Sequence, residues 1–413
     1  MTQIRFHHAR LPNGLTVIGE HNPAAQSVAA GYFVNTGSRD EHPGIAGVSH
    51  FLEHMMFKGT DRRSAEDINR EFDEMGARSN AYTSEEHTVY YGAVLPEHRG
   101  RLLDLLTDMM RPALRESDFD LEKKVILEEI AMYQDRPNLR LFELGSRRFF
   151  RDHPLGNSVL GTPESIGPLA RDEMLEYFRS RYAPNNLILA LAGAYDWDAT
   201  LAQAQAATEG WQPQPVDRSY PPLAPAAGED HAGDEKLKRV HIGFWAPGPS
   251  AQSELRYSAA LLASCLGDAT GSRLYWALVD KGTADAAQVW HDAADGAGAF
   301  MGYASTSPER SAEVLAKVKE TLIAAQSEPP TKEEWERSRH KIATSLTLHG
   351  ETPFGRLMSL GNSFLYNGAY QSQDELLARI MSAERDDAAE ILADGAFDRL
   401  FAMTLGPNGK ASR

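Results

Sequence analysis

The sequence is short of cysteine, of basic charge and of long apolar runs, and each shortage excludes something. A single cysteine, Cys265, among 413 residues rules out an intrachain disulfide and a cysteine-rich zinc site. Any metal must then be held by histidine and carboxylate. Lys and Arg number 42 against 58 Asp and Glu, a formal net charge of −16. Phosphate recognition wants clustered basic residues, so no nucleic-acid partner is expected. The acidic balance suits a solvated surface, and an acidic interior would attract basic peptides. No run approaches the ~18 consecutive apolar residues of a membrane span, so no membrane partner is expected. The longest run, "LILALAGA" at 187–194, reads as a buried strand. The opening residues, "MTQIRFHHARLPNGLTV", lack a basic start followed by an apolar core. They run instead into a hairpin with Pro12, Asn13 and Gly14 at the turn. The expectation is a cytoplasmic protein, or a periplasmic one whose leader has been removed.

What is present is the composition of a globular protein, 42% hydrophobic and 24% charged, in a chain long enough for two or more domains. The clearest seam is 211–236, with five prolines between Pro213 and Pro225 followed by a small, acidic stretch. Such composition reads as a semi-rigid connector. It divides the chain into a first domain at 1–212, a linker at 213–236 and a second domain at 237–413. The first half reads as strand 27–36, helices 44–57 and 64–75, strands 77–83 and 87–94, and helices 97–110 and 117–134. Ser64 and Asp67 form a capping box, and Gly76 stops the second helix. The second half opens in the same order, with a strand in "KRVHIGFWAP" and a helix in "SELRYSAALLASCLG", and has later helices at 308–326 and 331–348. The expected fold class is therefore α+β, with two similar duplicated domains, each a mainly antiparallel sheet packed with helices. No histidine occupies Ala259–Leu266, the counterpart of the first half's histidine-bearing helix, so only the first half can hold a metal there.

That helix contains "SHFLEHMMFKGT", residues 49–60. His50, Glu53 and His54 sit at i, i+3 and i+4 and share one face, while apolar residues cover most of the remaining circumference. Buried polar groups need partners. Two histidines at this spacing can bind one zinc, and Glu53 on the same face can reach a water at the open fourth position. A third ligand is offered by "SDFDLEKKVILEEIAMYQD" at 117–135, where Glu122, Val125, Ile126 and Glu129 fall at i, i+3, i+4 and i+7. Helix geometry turns Glu128 about 100° away, so Glu129 is the expected ligand and Glu122 its expected support. His7, His8, His21 and His87 are expected to be exposed or locally bonded.

The order His-x-x-Glu-His is that of the inverzincins. With "SNAYTSEEHTVYY" at 79–91, the Glu122 and Glu129 pair, "HPLGNSVLGTPESI" at 153–166 and "YAPNNLILALAGAYD" at 182–196, the sequence resembles the pitrilysin–insulinase family of zinc metallopeptidases, in its mitochondrial-processing-peptidase-like branch. The resemblance covers the first half throughout and the second half weakly. It implies a zinc endopeptidase acting on peptides or presequence-like unfolded segments in an enclosed chamber. Zinc would be held by His50, His54 and Glu129, and Glu53 would be the base. It also implies that substrate adds as a strand to residues 77–84, with Asn80 and Ala81 as contacts.

One departure from the family pattern stands out in "GSRLYWALVDKGTADAAQVWH" at 271–291. The segment starts as the family does, with Ser272, Arg273, Leu274 and Tyr275. Val279 then stands where the family has a substrate-holding arginine, and Asp285 falls near its tyrosine. The expectation is a zinc-bearing catalytic subunit of a heterodimer, whose homologous partner supplies the missing Arg and Tyr. Two alternatives belong to the same resemblance. One is a non-catalytic core subunit of a larger complex; the other is a maturation peptidase dedicated to one peptide.

Overall fold

The computed structural model describes residues 4–393 and 395–407. The first sheet is built from β1 (Arg5–Arg10), β2 (Thr16–His21), β3 (Val28–Val34), β4 (Arg78–Thr83), β5 (Thr88–Val94) and β6 (Leu187–Gly193). Its order is β1-β2-β6-β3-β5-β4, antiparallel except where β2 meets β6. The second sheet contains β7 (Gly228–Gly233), β8 (Val240–Pro247), β9 (Ala286–Ala294), β10 (Ala297–Thr306) and β11 (Phe401–Gly406). Its order is β7-β11-β8-β10-β9, antiparallel except between β7 and β11. Two mainly antiparallel sheets with helices, one in each half of the chain, are the expected duplicated α+β architecture.

The first half includes helices α1 (Val48–Met55), α2 (Ala65–Glu74), α3 (Arg99–Met109), α4 (Glu116–Gln134) and α5 (Pro137–Phe150), followed by Pro163–Ile166, Arg171–Arg181 and Trp197–Thr208. α1 to α4 pack on one face of the first sheet, where Phe51, Ile68, Leu102, Leu106 and Ile126 join Tyr32, Tyr90 and Leu189 in one core. The expected capping box is present, with Ser64 Oγ accepting from Asp67 N–H and Asp67 returning the bond. No described helix is long and apolar enough to cross a membrane.

The compact units are not the contiguous halves that the seam suggested. One comprises the chain up to Met132 together with Asn157–Tyr220 and Leu348–Gln371. The other comprises Tyr133–Gly156, Pro221–Thr347 and the chain from Ser372. The outer face of each sheet is covered by a helix from the opposite half of the sequence. α5 lays Leu141, Phe149 and Phe150 on Trp245, Phe401 and Leu405 of the second sheet. The helix Pro353–Asn367 lays Leu357 and Leu360 on Ile18, Phe33 and Val89 of the first. A sheet buries both faces when a helix is available for each, and an apolar helix stripe does not itself say which sheet it will cover. The connector also differs from expectation. Its prolines end at Pro225, and Gly228–Gly233, with N–H groups free to join a ladder, forms the edge strand β7.

Both covering helices depend on a glycine. A Cβ at Gly145 of α5 would lie 1.8 Å from the Trp245 ring, and one at Gly361 would lie 2.2 Å from the Phe33 ring. Each glycine lets a sheet aromatic reach the helix backbone. Gly145→Ala and Gly361→Ala are each expected to cost about 1–3 kcal/mol through overpacking, read as a lower midpoint in denaturant unfolding. An unchanged midpoint would mean that helix and sheet separate without penalty.

Candidate metal centre

α1 has only eight residues, and Val48, Ser49, His50, Phe51, Leu52 and Met55 are buried. A helix this short is not stable alone, so packing must hold it. Gly47 precedes it with φ 90°, and a Cβ there would lie 2.5 Å from the Leu160 carbonyl, so glycine is required at the entry. The buried Glu41 carboxyl then accepts from Gly47 N–H at 2.6 Å and Ser49 N–H at 2.7 Å, capping the positive end of the helix. Phe51 stacks on Phe119 of α4, with ring centroids 4.7 Å apart and planes 15° apart, which sets α1 against α4.

This packing brings His50, His54 and Glu129 together, with one ligand atom from each lying within 4.8 Å of the others. Glu129 Oε2 is 3.8 Å from His50 Nε2 and 3.5 Å from His54 Nε2. Glu128 is exposed, as helix geometry requires. Val125 does not lie with the buried face as its spacing suggested. It is 45% exposed, and the buried stripe of α4 runs through Phe119, Glu122, Ile126 and Ile130.

Glu122 is buried and takes the other side of His54, whose Nδ1–H donates to Oε1 at 2.8 Å. That leaves the Nε2 lone pair of His54 facing Glu129. Lys58 lies 2.5 Å from Glu122 Oε2. Burial opposes ionisation of Glu122, but hydrogen bonds from His54 and Lys58 prevail and hold its carboxyl below the usual range. Burial, with the neighbouring His54, pushes His50 down to about 4, so this imidazole stays neutral and keeps a lone pair to give. For His54 burial again opposes charge, but the bond to Glu122 and the charges of Glu129, Glu122 and Glu53 raise its pKa. Two imidazoles and a carboxylate with converging donor atoms fit a single zinc ion with one position left open.

Glu53, from the same turn of α1, accepts a 2.6 Å hydrogen bond from the Thr83 hydroxyl of β4. Burial raises its pKa, partly offset by that bond and by His54. A raised carboxylate beside a candidate metal site is a better proton acceptor than an ordinary one.

The structure separates Asn80 from Ala81. Ser84 N–H donates to the His87 carbonyl at 2.9 Å, which sets the alternation of the β4–β5 ladder. In an antiparallel pair, bonded and non-bonded positions alternate. Tyr82, Asn80 and Arg78 therefore bond to Val89, Tyr91 and Ala93, while Thr83, Ala81 and Ser79 turn their backbone groups outward. β4 is the last strand of its sheet, so those groups face an open edge. Asn80 offers an exposed side chain, and Ala81 offers backbone. Of the remaining histidines, His87 is buried rather than exposed, is pushed down to about 4 by burial and then by Arg218, and contacts the Tyr82 hydroxyl at 3.2 Å.

Sequence reasoning passed over Thr83, Lys58 and Glu41. Thr83 shares strand parity with Ala81, and Lys58 stands four residues beyond His54, so spacing carried a signal for both. Glu41 had none, because its partners are backbone N–H groups.

A His-x-x-Glu-His helix completed by a glutamate from a second helix, within a duplicated α+β chain, defines the inverted-motif class of zinc metallopeptidases. Residues 16–163 match the family described as Insulinase (Peptidase family M16), and residues 168–342 match Peptidase M16 inactive domain. The chain belongs to this family, the pitrilysin–insulinase zinc metallopeptidases. An uncharacterized zinc protease of Streptomyces coelicolor is 33% identical over 407 residues, spanning 96% of this chain and 88% of its own. One from Bacillus subtilis is 32% identical over 410 residues, spanning 96% and 97%. Among solved structures, a protease from Helicobacter pylori matches with a TM-score of 0.90 at 19% identity, covering 98% of this chain and all (100%) of that one. A chain of Complex III2 from Candida albicans matches with a TM-score of 0.86 at 18% identity, covering 97% and 95%. At these identities the structural likeness is one of fold.

Burial pushes the Glu41 carboxyl up to about 8 from 4.5, against the hydrogen bonds from Ser49 and Gly47. The folded protein therefore holds a proton that the unfolded chain has released between those values. The stability that this group contributes is full below about 4.5 and is lost as pH rises to about 8. Glu41→Gln should flatten thermal stability across this window. An unchanged pH dependence would place the titration elsewhere.

Proposed function

We propose that the chain is a zinc metalloendopeptidase that cleaves peptides or unfolded, presequence-like segments. The convergence of His50, His54 and Glu129, with Glu53 beside them, is the observation that carries this reading. Zinc at that position would supply a Lewis acid that polarises the scissile carbonyl and acidifies water. Glu53 takes the proton of the attacking water as the new C–O bond forms. It returns that proton to the amine nitrogen as the C–N bond breaks, leaving a carboxylate and an amine. Glu122 holds His54 in the tautomer that keeps Nε2 free, and Lys58 keeps Glu122 ionised.

The substrate adds to the open edge of β4 as an extra strand, pairing with the outward backbone groups of Ala81 and its neighbours of the same parity. Main-chain pairing binds peptides of many sequences and suits an endopeptidase. The catalytic subunit acts with a homologous partner that supplies the missing Arg and Tyr. Two observations support this part of the reading. Val279 ends a short π-helical turn and packs on the core of its own unit, and Asp285 is ion-paired with Arg239. Neither position is equipped to hold a substrate carbonyl. A purely scaffolding role is disfavoured because every candidate ligand is retained. A dedicated maturation peptidase would use the same residues and differ only in substrate range.

The deciding experiment is hydrolysis of short unstructured peptides by the zinc-loaded chain alone, beside its Glu53→Gln variant. The variant is expected to bind zinc and lose at least about 10²-fold in turnover. Substantial activity in Glu53→Gln would remove Glu53 as the base. Full wild-type activity by the chain alone would remove the need for a partner, and silence with zinc bound would favour the partner.

Ala81→Pro removes one outward N–H donor at a position where an edge strand tolerates proline. It should weaken peptide binding, measured by fluorescence anisotropy, while preserving thermal stability. Unchanged affinity would exclude strand addition at this edge.

A further inference from the structure

Thr83 lies where the candidate base and the candidate substrate strand meet. Its hydroxyl donates to Glu53 Oε2 at 2.6 Å, which occupies one carboxylate oxygen and leaves Oε1 to receive a proton. Its backbone belongs to the outward set of β4, two residues from Ala81 and with the same parity. A β-branched side chain on a strand has few rotamers, so fixing the backbone of Thr83 also fixes its hydroxyl.

The strand end that carries Thr83 is itself held firmly. In the adjoining turn, the Ser84 hydroxyl accepts from His87 N–H at 3.1 Å and donates to the His87 carbonyl at 3.0 Å. Glu86 is ion-paired with Arg39 in the interior and accepts from the Tyr366 hydroxyl at 2.8 Å, while Arg218 donates to its carbonyl at 3.0 Å. Two nearby hydroxyls are engaged elsewhere, since those of Tyr90 and Tyr182 bond to each other at 2.9 Å. Among the described residues, Thr83 is the side chain whose hydrogen bond to Glu53 is seen.

We propose that Thr83 is a positioning residue that couples peptide binding to proton transfer. Its backbone pairs with the added strand, and its hydroxyl holds Glu53 in the orientation that receives the water proton. This rests on the strand-addition reading above and extends it, because one residue then sets the register of the scissile bond relative to the base. Loss of the hydroxyl should leave peptide pairing intact and let the Glu53 carboxylate rotate. The effect belongs in kcat rather than in KM.

The test compares Thr83→Val, which keeps the shape and removes the donor, with Thr83→Ser, which keeps the donor. For Thr83→Val, kcat is expected to fall on the order of 10- to 100-fold, with KM within about two-fold of wild type. Thr83→Ser should retain most of the wild-type kcat. A wild-type kcat in Thr83→Val, or a loss that serine does not restore, overturns the proposal. A crystal structure of zinc-loaded Thr83→Val gives a readout that needs no turnover. The Glu53 carboxylate is expected to leave its place against β4, and an unmoved carboxylate overturns the proposal equally. If Ala81→Pro leaves peptide affinity unchanged while Thr83→Val still loses kcat, the coupling falls through the failure of strand addition. The hydroxyl contact itself would then stand.

Discussion

The arrangement of the site depends on burying one short helix on nearly every side. α1 is too brief to hold itself together, so its capping by Glu41 and the stack of Phe51 on Phe119 decide whether it exists as a helix at all. Once it is held, His50, Glu53 and His54 project from one face because the helical repeat allows nothing else. Their burial would be costly if they faced only hydrocarbon. Glu129 and Glu122 from α4, Lys58 beyond the helix end and Thr83 from β4 are the groups that answer that cost.

These answering groups act in opposite electrostatic directions. Burial keeps His50 neutral, while Glu122 and Glu129 draw positive charge toward His54. A cation placed among the three donors satisfies both tendencies, since it needs the lone pairs and compensates the carboxylates. Lys58 lies on the far side of Glu122 and favours its ionised form, so the carboxylate orients His54 without taking its proton. The edge strand is controlled from its turn, where Arg39 and Arg218 hold residues 84–87 in place.

The exchanged helices show how far duplication extends. Each sheet accepts a covering helix from the other half of the sequence, and each of those helices carries a glycine over a sheet aromatic, Gly145 over Trp245 and Gly361 over Phe33. The same packing solution thus appears in both units, although only one carries the histidines.

Much of this was legible along the chain. The strand and helix order, the capping box at Ser64, the shared face of His50, Glu53 and His54 on α1, and the inward turn of Glu129 rather than Glu128 all follow from periods of two or 3.6 residues. Those periods are local properties of the backbone and need no knowledge of the partner. The limits of the compact units were not legible, because the apolar stripes of α5 and of Pro353–Asn367 state only that each helix will be buried. Strand β7 was hidden behind the prolines that precede it. The different standing of Asn80 and Ala81 was also hidden, since it depends on which pairs of the β4–β5 ladder exchange hydrogen bonds. The sequence by itself determined which residues share a face. Only the tertiary structure decided what each face meets, including Thr83 against Glu53 and Glu41 against the start of α1, because contacts between distant segments depend on packing that no local period encodes.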